Sequence, residues 1–283
     1  MTPPLEEPLG EVIRRHRIGA RRGLGQHFLL DLNLCRRIAR AAGPLAGVTV
    51  IEVGPGPGGL TRALLEGDAA RVVAVERDRR CIAALAELAA AHPGRLDVIE
   101  GDALEINLAE VSDPPRRIVA NLPYNIATPL LIGWLKRIGD FQSLTCMFQK
   151  EVADRLAARP RSKAYGRLSV ITQWLTRVRH EFNIDRRAFT PPPKVASSLV
   201  TLTTRPEPLA PAGWDSLEAV AAAAFGQRRK MLRSSLKPLG LDIDGLGLDP
   251  AARAEELDVE DFCTLARALE ATPGQPRPHT KGR

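Results

Sequence analysis

The chain has 283 residues, 44% of them hydrophobic and 26% charged, with a formal net charge of +7 and four cysteines. That length suits one large domain plus a smaller one, with enough core to need neither disulfides nor a structural metal, which excludes a coiled coil, a disordered chain or a small secreted scaffold. No apolar run approaches the roughly 18–20 residues of a membrane span, the first 25 residues hold no apolar signal core, and Cys35, Cys81, Cys146 and Cys263 are scattered without metal-ligand or disulfide spacing. The expectation is a soluble, cytoplasmic protein with reduced thiols, no metal and no dimerisation seam.

Residues 1–22 are expected to form a flexible extension. Asp31 then stands where it can cap a helix whose apolar positions Leu34, Cys35, Ile38 and Ala42 share one face, and Gly43 supplies its stop. A β-branched run over 48–53 reads as a strand, and the glycine cluster after it opens an amphipathic segment over 60–65. The pattern repeats: strand at 71–76, Ala/Leu-rich helix at 79–92, strands at 96–100 and 117–120. Thr128 and Pro129 read as N-cap and first residue of a helix reaching Lys136. A fifth strand at 143–148 leads into a helix ending near Ala158. Strand-like runs at 175–184 and 196–204 have no helix between them, so an antiparallel hairpin is expected at one edge.

Continuous apolar strands alternating with helices specify an α/β fold, here a seven-stranded, doubly wound, Rossmann-like sheet over 23–205. A proline-rich linker at 205–211 leads to a small all-helical domain at 212–271. Its expected helices cover 214–236, a start at Asp249-Pro250, and 258–271. The tail, 272–283, has too few apolar residues to pack and is expected to be disordered.

The positive charge is unevenly spread. Residues 136–194 hold thirteen Lys and Arg against five Asp and Glu. A second cluster, Arg228, Arg229, Lys230, Arg233 and Lys237, follows Phe225, and on one helix Arg229, Arg233 and Lys237 would form a stripe at i, i+4 spacing. Residues 242–261 are acidic. Basic stripes suit a polyanion such as nucleic acid, although charge alone leaves a solvated cationic face equally open.

Ligands of an open α/β sheet bind beyond the carboxyl ends of its strands. The first strand runs into Glu52-Val53-Gly54-Pro55-Gly56-Pro57-Gly58-Gly59, where glycines let a ligand approach the backbone. Alone, that turn is compatible with a nicotinamide nucleotide, a phosphate, a methyl donor or tight packing. The second strand ends in Glu76, spaced to take both hydroxyls of a ribose. The third ends in Gly101-Asp102, a carboxylate able to accept from an adenine amino group. The fourth ends in Asn121-Leu122-Pro123-Tyr124, which offers an amide oxygen, a carbonyl held extended by the following proline, and an aromatic face. Two acceptors aimed at one point suit an exocyclic amine, with Tyr124 stacked on its base.

These residues, with Gly25-Gln26-His27-Phe28-Leu29, the loop Phe189-Thr190-Pro191-Pro192-Pro193-Lys194-Val195 and the run Phe225 to Lys230, resemble the ribosomal RNA adenine dimethyltransferase family over residues 23–269. Within it, the resemblance is to the bacterial branch that dimethylates two adjacent adenosines near the 3′ end of small-subunit (16S) ribosomal RNA. It implies S-adenosyl-L-methionine as donor, with S-adenosyl-L-homocysteine as product and no metal, and the small ribosomal subunit precursor as partner. It also implies site roles: His27 and Leu29 touch the donor, Gly54 and Gly56 underlie it, Glu76 holds its ribose, Asp102 holds its adenine, and Asn121 sits between donor and target. Asn121 and Leu122 would hold the target amine, and Tyr124 and Phe189 would clamp the base. Arg228, Arg229, Lys230 and Arg233 would hold RNA phosphates. His27 is a departure, since many relatives have Asn there. An N6-adenine methyltransferase acting on DNA, or a non-catalytic methyltransferase-shaped assembly or transcription factor, are the competing readings.

Overall fold

The computed structural model describes residues 7–227 and 229–272. Two compact units emerge: Met1–Ala153 with Arg179–Thr204, and Asp154–Val178 with Arg205–Arg283. The contiguous division expected near residue 205 differs from this, because 154–178 belongs with the C-terminal helices.

In the first unit, α1 (Leu9–Arg15) and β1 (Phe28–Leu29) precede α2 (Leu32–Ala41), β2 (Thr49–Val53), α3 (Gly59–Glu66), β3 (Arg71–Glu76), α4 (Arg79–Ala91) and β4 (Leu96–Glu100). There follow β5 (Arg116–Asn121), α5 (Ala127–Leu135), β6 (Ser143–Gln149) and α6 (Lys150–Leu156), then, after α7 (Arg167–Leu175), the strands β7 (Thr176–Ile184), β8 (Phe189–Thr190) and β9 (Ser197–Thr204). The large sheet has the order β4-β3-β2-β5-β6-β9-β7. β2, β3, β4, β5 and β6 pair in parallel, while β6 and β9 pair antiparallel. Successive residues of the central strands, Val50 and Ile51, Val72 and Val73, Ile118 and Val119, are all fully buried. A strand buried on both faces needs a helical layer on each, which is the seven-stranded doubly wound arrangement expected.

Asp31 caps α2 by accepting from the Asn33 and Leu34 amides at 2.8 and 3.3 Å. Elsewhere local expectations give way. α5 begins at Ala127 with Ile126 as its N-cap, so Thr128 is not the cap and Pro129 lies in the first turn, where a missing N–H costs nothing. The segment expected to be a flexible extension is, from Glu7 on, ordered structure: Leu9, Val12 and Ile18 are buried, and Val12 and Ile18 pack with Phe28, Cys81 and Ala84. The hairpin loop also holds an unexpected strand, β8, paired antiparallel with β1 through Phe28↔Thr190 and Leu29↔Phe189.

In the second unit, α7 packs against α8 (Trp214–Gly226) and α10 (Val259–Ala271). The 205–211 stretch is tied down instead of free, with Arg205 and Leu209 amides donating to the Leu175 and Trp174 carbonyls at 3.0 and 2.8 Å. Asp258 caps α10 in a capping box with Asp261. No α-helix starts at Asp249-Pro250; Asp249 closes a local turn onto the Ala251 amide instead, and a 3₁₀ turn follows at Ala254–Glu256. The long helix expected over 214–236 breaks after Gly226, resuming only as α9 (Leu232–Ser235). Met231 instead makes an isolated bridge to Arg253. Arg229, Arg233 and Lys237 are therefore not a stripe on one helix, although all three are exposed. No helix among the described residues is long and apolar enough to cross a membrane.

Candidate active site

A pocket of about 1000 Å³, counted with the solvent at its mouth, opens at the carboxyl ends of β2, β3, β4 and β5. Its lining includes His27, Leu29, Gly54, Gly56, Glu76, Asp102, Asn121, Leu122 and Tyr124. The sheet order explains this convergence: β5, the fourth strand of the parallel set, lies beside β2, so the tetrapeptide ends next to the glycine turn.

The turn is shaped by necessity at Gly56, where φ is +58° and an added Cβ would stand 3.0 Å from the Phe28 ring. Glu76, 6% exposed, accepts from the Gly56 amide through Oε2 at 3.0 Å, and from the Arg77 and Asp78 amides through Oε1 at 2.8 Å each. A carboxylate offers about four acceptor sites, so one remains, on Oε2. That free acceptor can take a ribose hydroxyl. Burial pushes its pKa up against the pull of those three amides. Asp102 accepts from the Leu104 amide at 3.0 Å and from Arg77 Nη1 at 2.8 Å.

Three polar links hold the segment that closes the pocket. Gln26 Nε2 donates to Asp78 at 3.0 Å, and Arg80, hydrogen-bonded to the same carboxylate, holds Asp78 down at about 2. His27 Nδ1 lies 2.7 Å from the Pro191 carbonyl; a carbonyl only accepts, so Nδ1 carries the hydrogen and Nε2 is left for a ligand. Asn121 Nδ2 donates to the His27 carbonyl at 2.9 Å. The same reasoning fixes the amide orientation, and its Oδ1 is left as an acceptor. Tyr124 stacks against the His27 ring, centroids 5.7 Å apart and planes 30° from parallel, and its hydroxyl bonds Ser197 Oγ.

One expectation is corrected. Phe189 is not brought to Tyr124: it is 1% exposed and packs in the core with Leu29, Ile184 and Leu199, because pairing of β8 with β1 turns it inward. Arg228 lies outside the described residues, while Arg229, Lys230 and Arg233 are exposed on the second unit.

Residue-type reasoning passed over Glu52 as a pocket group. It is 1% exposed, lines the pocket and accepts from Thr61 Oγ1 at 2.6 Å. The available signal was an acid inside an otherwise apolar strand. Burial is the main cause that pushes its carboxyl from 4.5 up to about 8, partly opposed by Thr61 and assisted by Glu76. The folded pKa exceeds the unfolded one, so between about pH 4.5 and 8 the unfolded chain sheds a proton that the folded chain keeps, and stability falls as pH rises. Glu52→Gln is expected to abolish that fall: urea midpoints of variant and parent agree near pH 4, and the variant is the more stable at pH 8.

The pocket fits an adenosyl sulfonium. Glycines make room for close approach, one acceptor on Glu76 suits a ribose hydroxyl, Asp102 suits an amine, and the Glu76 and Asp102 carboxylates favour a cation.

A family described as ribosomal RNA adenine dimethylase matches residues 18–271. The ribosomal RNA small subunit methyltransferase A of Rhodospirillum rubrum is 63% identical over 268 residues, covering 93% of this chain and 93% of the relative. Its namesake in Paramagnetospirillum magneticum is 64% identical over 267 residues, covering 93% and 95%. A solved dimethyladenosine transferase from Plasmodium falciparum aligns with a TM-score of 0.75 at 26% identity, over 84% of this chain and 96% of that one. The chain belongs to the ribosomal RNA adenine dimethylase family.

Proposed function

We propose that this protein dimethylates the N6 amine of two adjacent adenosines near the 3′ end of small-subunit (16S) ribosomal RNA, using S-adenosyl-L-methionine, during assembly of the small subunit. The observation that carries the reading is the Asn121 side chain, whose Nδ2 is committed to the His27 carbonyl so that Oδ1 is left as an acceptor in the same pocket as Glu76 and Asp102. When bound, the donor supplies a methyl group already activated by its sulfonium, and S-adenosyl-L-homocysteine is released.

The task of the protein is then to improve a poor nucleophile. The N6 lone pair of adenine is delocalised into the ring. Asn121 Oδ1 and the Leu122 carbonyl each accept one amine N–H, which favours a more tetrahedral nitrogen and aims its lone pair across the pocket. These dipoles are fixed before the base arrives, Asn121 by His27 and Leu122 by its place before Pro123, so catalysis is chiefly positioning and electrostatic preorganisation. Tyr124 gives the extruded base its stacking face. Burial raises the pKa of its phenol, which stays neutral at physiological pH. After one transfer a single N–H remains, so the second round relies on one acceptor and the stack. His27 and Leu29 contact the donor beside Gly54 and Gly56, with Glu76 at its ribose and Asp102 at its adenine.

The exposed Arg229, Lys230 and Arg233, with Arg228, hold RNA phosphates. Replacing Arg229, Lys230 and Arg233 by Gln is expected to lower the slope of log K against log salt by about 2, at roughly 0.7 per released counterion on single-stranded RNA. An unchanged slope marks them as solvated surface. The reading as a whole is tested with radiolabelled donor on unmethylated small subunits, naked ribosomal RNA and duplex DNA. Label in two N6,N6-dimethyladenosines of the small-subunit RNA is the expected result. Label in DNA alone, or in nothing, overturns it.

A further inference from the structure

The loop between β8 and β9 is one of the chain's most distinctive stretches, yet the chemistry above uses none of its far end. Ser197 closes that loop. It is 0% exposed and stands in β9 opposite Gln149 of β6, with β9 lying inside the sheet between β6 and β7. Alanine or valine would suit such a position, and a hydroxyl there demands a partner. The partner is the Tyr124 hydroxyl, on a side chain that lines the pocket.

We infer that Ser197 is a positioning residue for methyl transfer: by holding the far end of the Tyr124 ring to the start of β9, it makes that ring a fixed platform for the target adenine. This rests on the function proposed above. Tyr124 is restrained at three places. Its backbone follows the extended Leu122-Pro123 pair, one ring face is covered by His27 at 5.7 Å, and its hydroxyl is tied to Ser197. The first two leave the ring able to swing about the Cα–Cβ bond, and only the third fixes the position of its hydroxyl end. A base stacked on the face away from His27 follows the position of the ring, and that position sets where N6 falls relative to Asn121 Oδ1 and the Leu122 carbonyl. The loop motif and the tetrapeptide motif are thus parts of one device: Ser197 fixes the stack, while the Pro191 carbonyl fixes His27, whose own carbonyl fixes Asn121.

The test is a double-mutant cycle in the full chain, with Ser197→Ala, Tyr124→Phe and both together. Three readouts are needed: single-turnover methylation of small subunits at saturating donor, donor affinity by calorimetry, and fluorescence of an RNA hairpin carrying 2-aminopurine at the target position. Each single variant is expected to slow transfer by about tenfold or more, since a misplacement near 1 Å costs up to about a hundredfold. The double variant should be no slower than the slower single one, because both remove one and the same bond. Donor affinity should hold, and 2-aminopurine should lose part of its stacking quench. Ser197→Thr, which keeps the hydroxyl, should restore most of the rate. Full rate in Ser197→Ala, losses that multiply in the double variant, or a parallel fall in donor affinity overturns the inference. Tyr124→Ala separates the levels: if it transfers at the parental rate, the stacking face of the proposed function itself fails. If it is slow while Ser197→Ala is fast, only the role of Ser197 falls.

Discussion

Asn121→Ala is expected to lose methyl transfer by about a thousandfold or more, the scale seen when one preorganised dipole and the alignment it enforces are removed together. Donor affinity should stay within about tenfold, the cost of one ordinary hydrogen bond. Asn121→Asp sharpens the test. A carboxylate would serve as an acceptor toward the target amine, yet it has no N–H to give the His27 carbonyl, which now receives the Asn121 amide at 2.9 Å. Two acceptors would face each other across that gap, and the 23–29 segment would be pushed off the pocket. Asp should therefore fail in donor binding as well as in turnover, whereas Ala fails in turnover. Calorimetric donor titrations beside single-turnover rates distinguish the two; an active Asp variant with normal donor affinity would refute the orientation assigned to the amide.

The second large effect is expected at Gly59, the first residue of α3. A Cβ there would lie 2.6 Å from the Leu29 carbonyl oxygen and 3.1 Å from Leu9 Cδ2. The oxygen cannot swing away as a side chain would, because Leu29 is held in β1 opposite Phe189. Gly59→Ala must displace either β1 or the start of α3, and both carry pocket residues. The expected cost is about 1–3 kcal/mol of stability, the usual range for overpacking, accompanied by weakened donor binding. Gly133→Ala is the control. Gly133 lies within α5 with nothing within 4 Å of its would-be Cβ, so alanine should add up to about 1 kcal/mol through helix propensity. Urea denaturation of both variants measures the contrast, and equal stabilities would refute the packing argument.

The parallel sheet was legible because its strands are continuous apolar runs, and fully buried strands such as β2 and β3 have no other way to read. The floor of the pocket was legible for a related reason: Gly54, Glu76, Asp102 and Asn121 sit at strand ends, where an α/β sheet presents its ligands. What escaped depends on contacts distant in sequence. β8 is two residues long and exists only because β1 pairs with it, so Phe189, read as an exposed clamp, is turned into the core. α7 carries Val170, Ile171 and Thr172, β-branched residues with no strong preference for a helix; burial against α8 and α10 decides the matter. The cationic run after Phe225 looked helical because periodicity cannot see that the helix stops at Gly226 and that Met231 bridges to Arg253. Glu52 is a polar residue inside an apolar strand, and Ser197 is a buried polar residue at the start of β9. Nothing local says whether such a group faces a pocket or a buried partner.

The union of β1 with β8 also bears on how the molecule is made at the ribosome. Phe28 and Leu29 are translated early, but their partners Thr190 and Phe189 emerge some 160 residues later, a sequence separation that places this contact among the last to form. A nascent chain can build most of the parallel sheet and still lack the edge that seats His27 against Pro191. The pairing that closes the pocket is therefore out of reach until the chain has been made as far as Thr190.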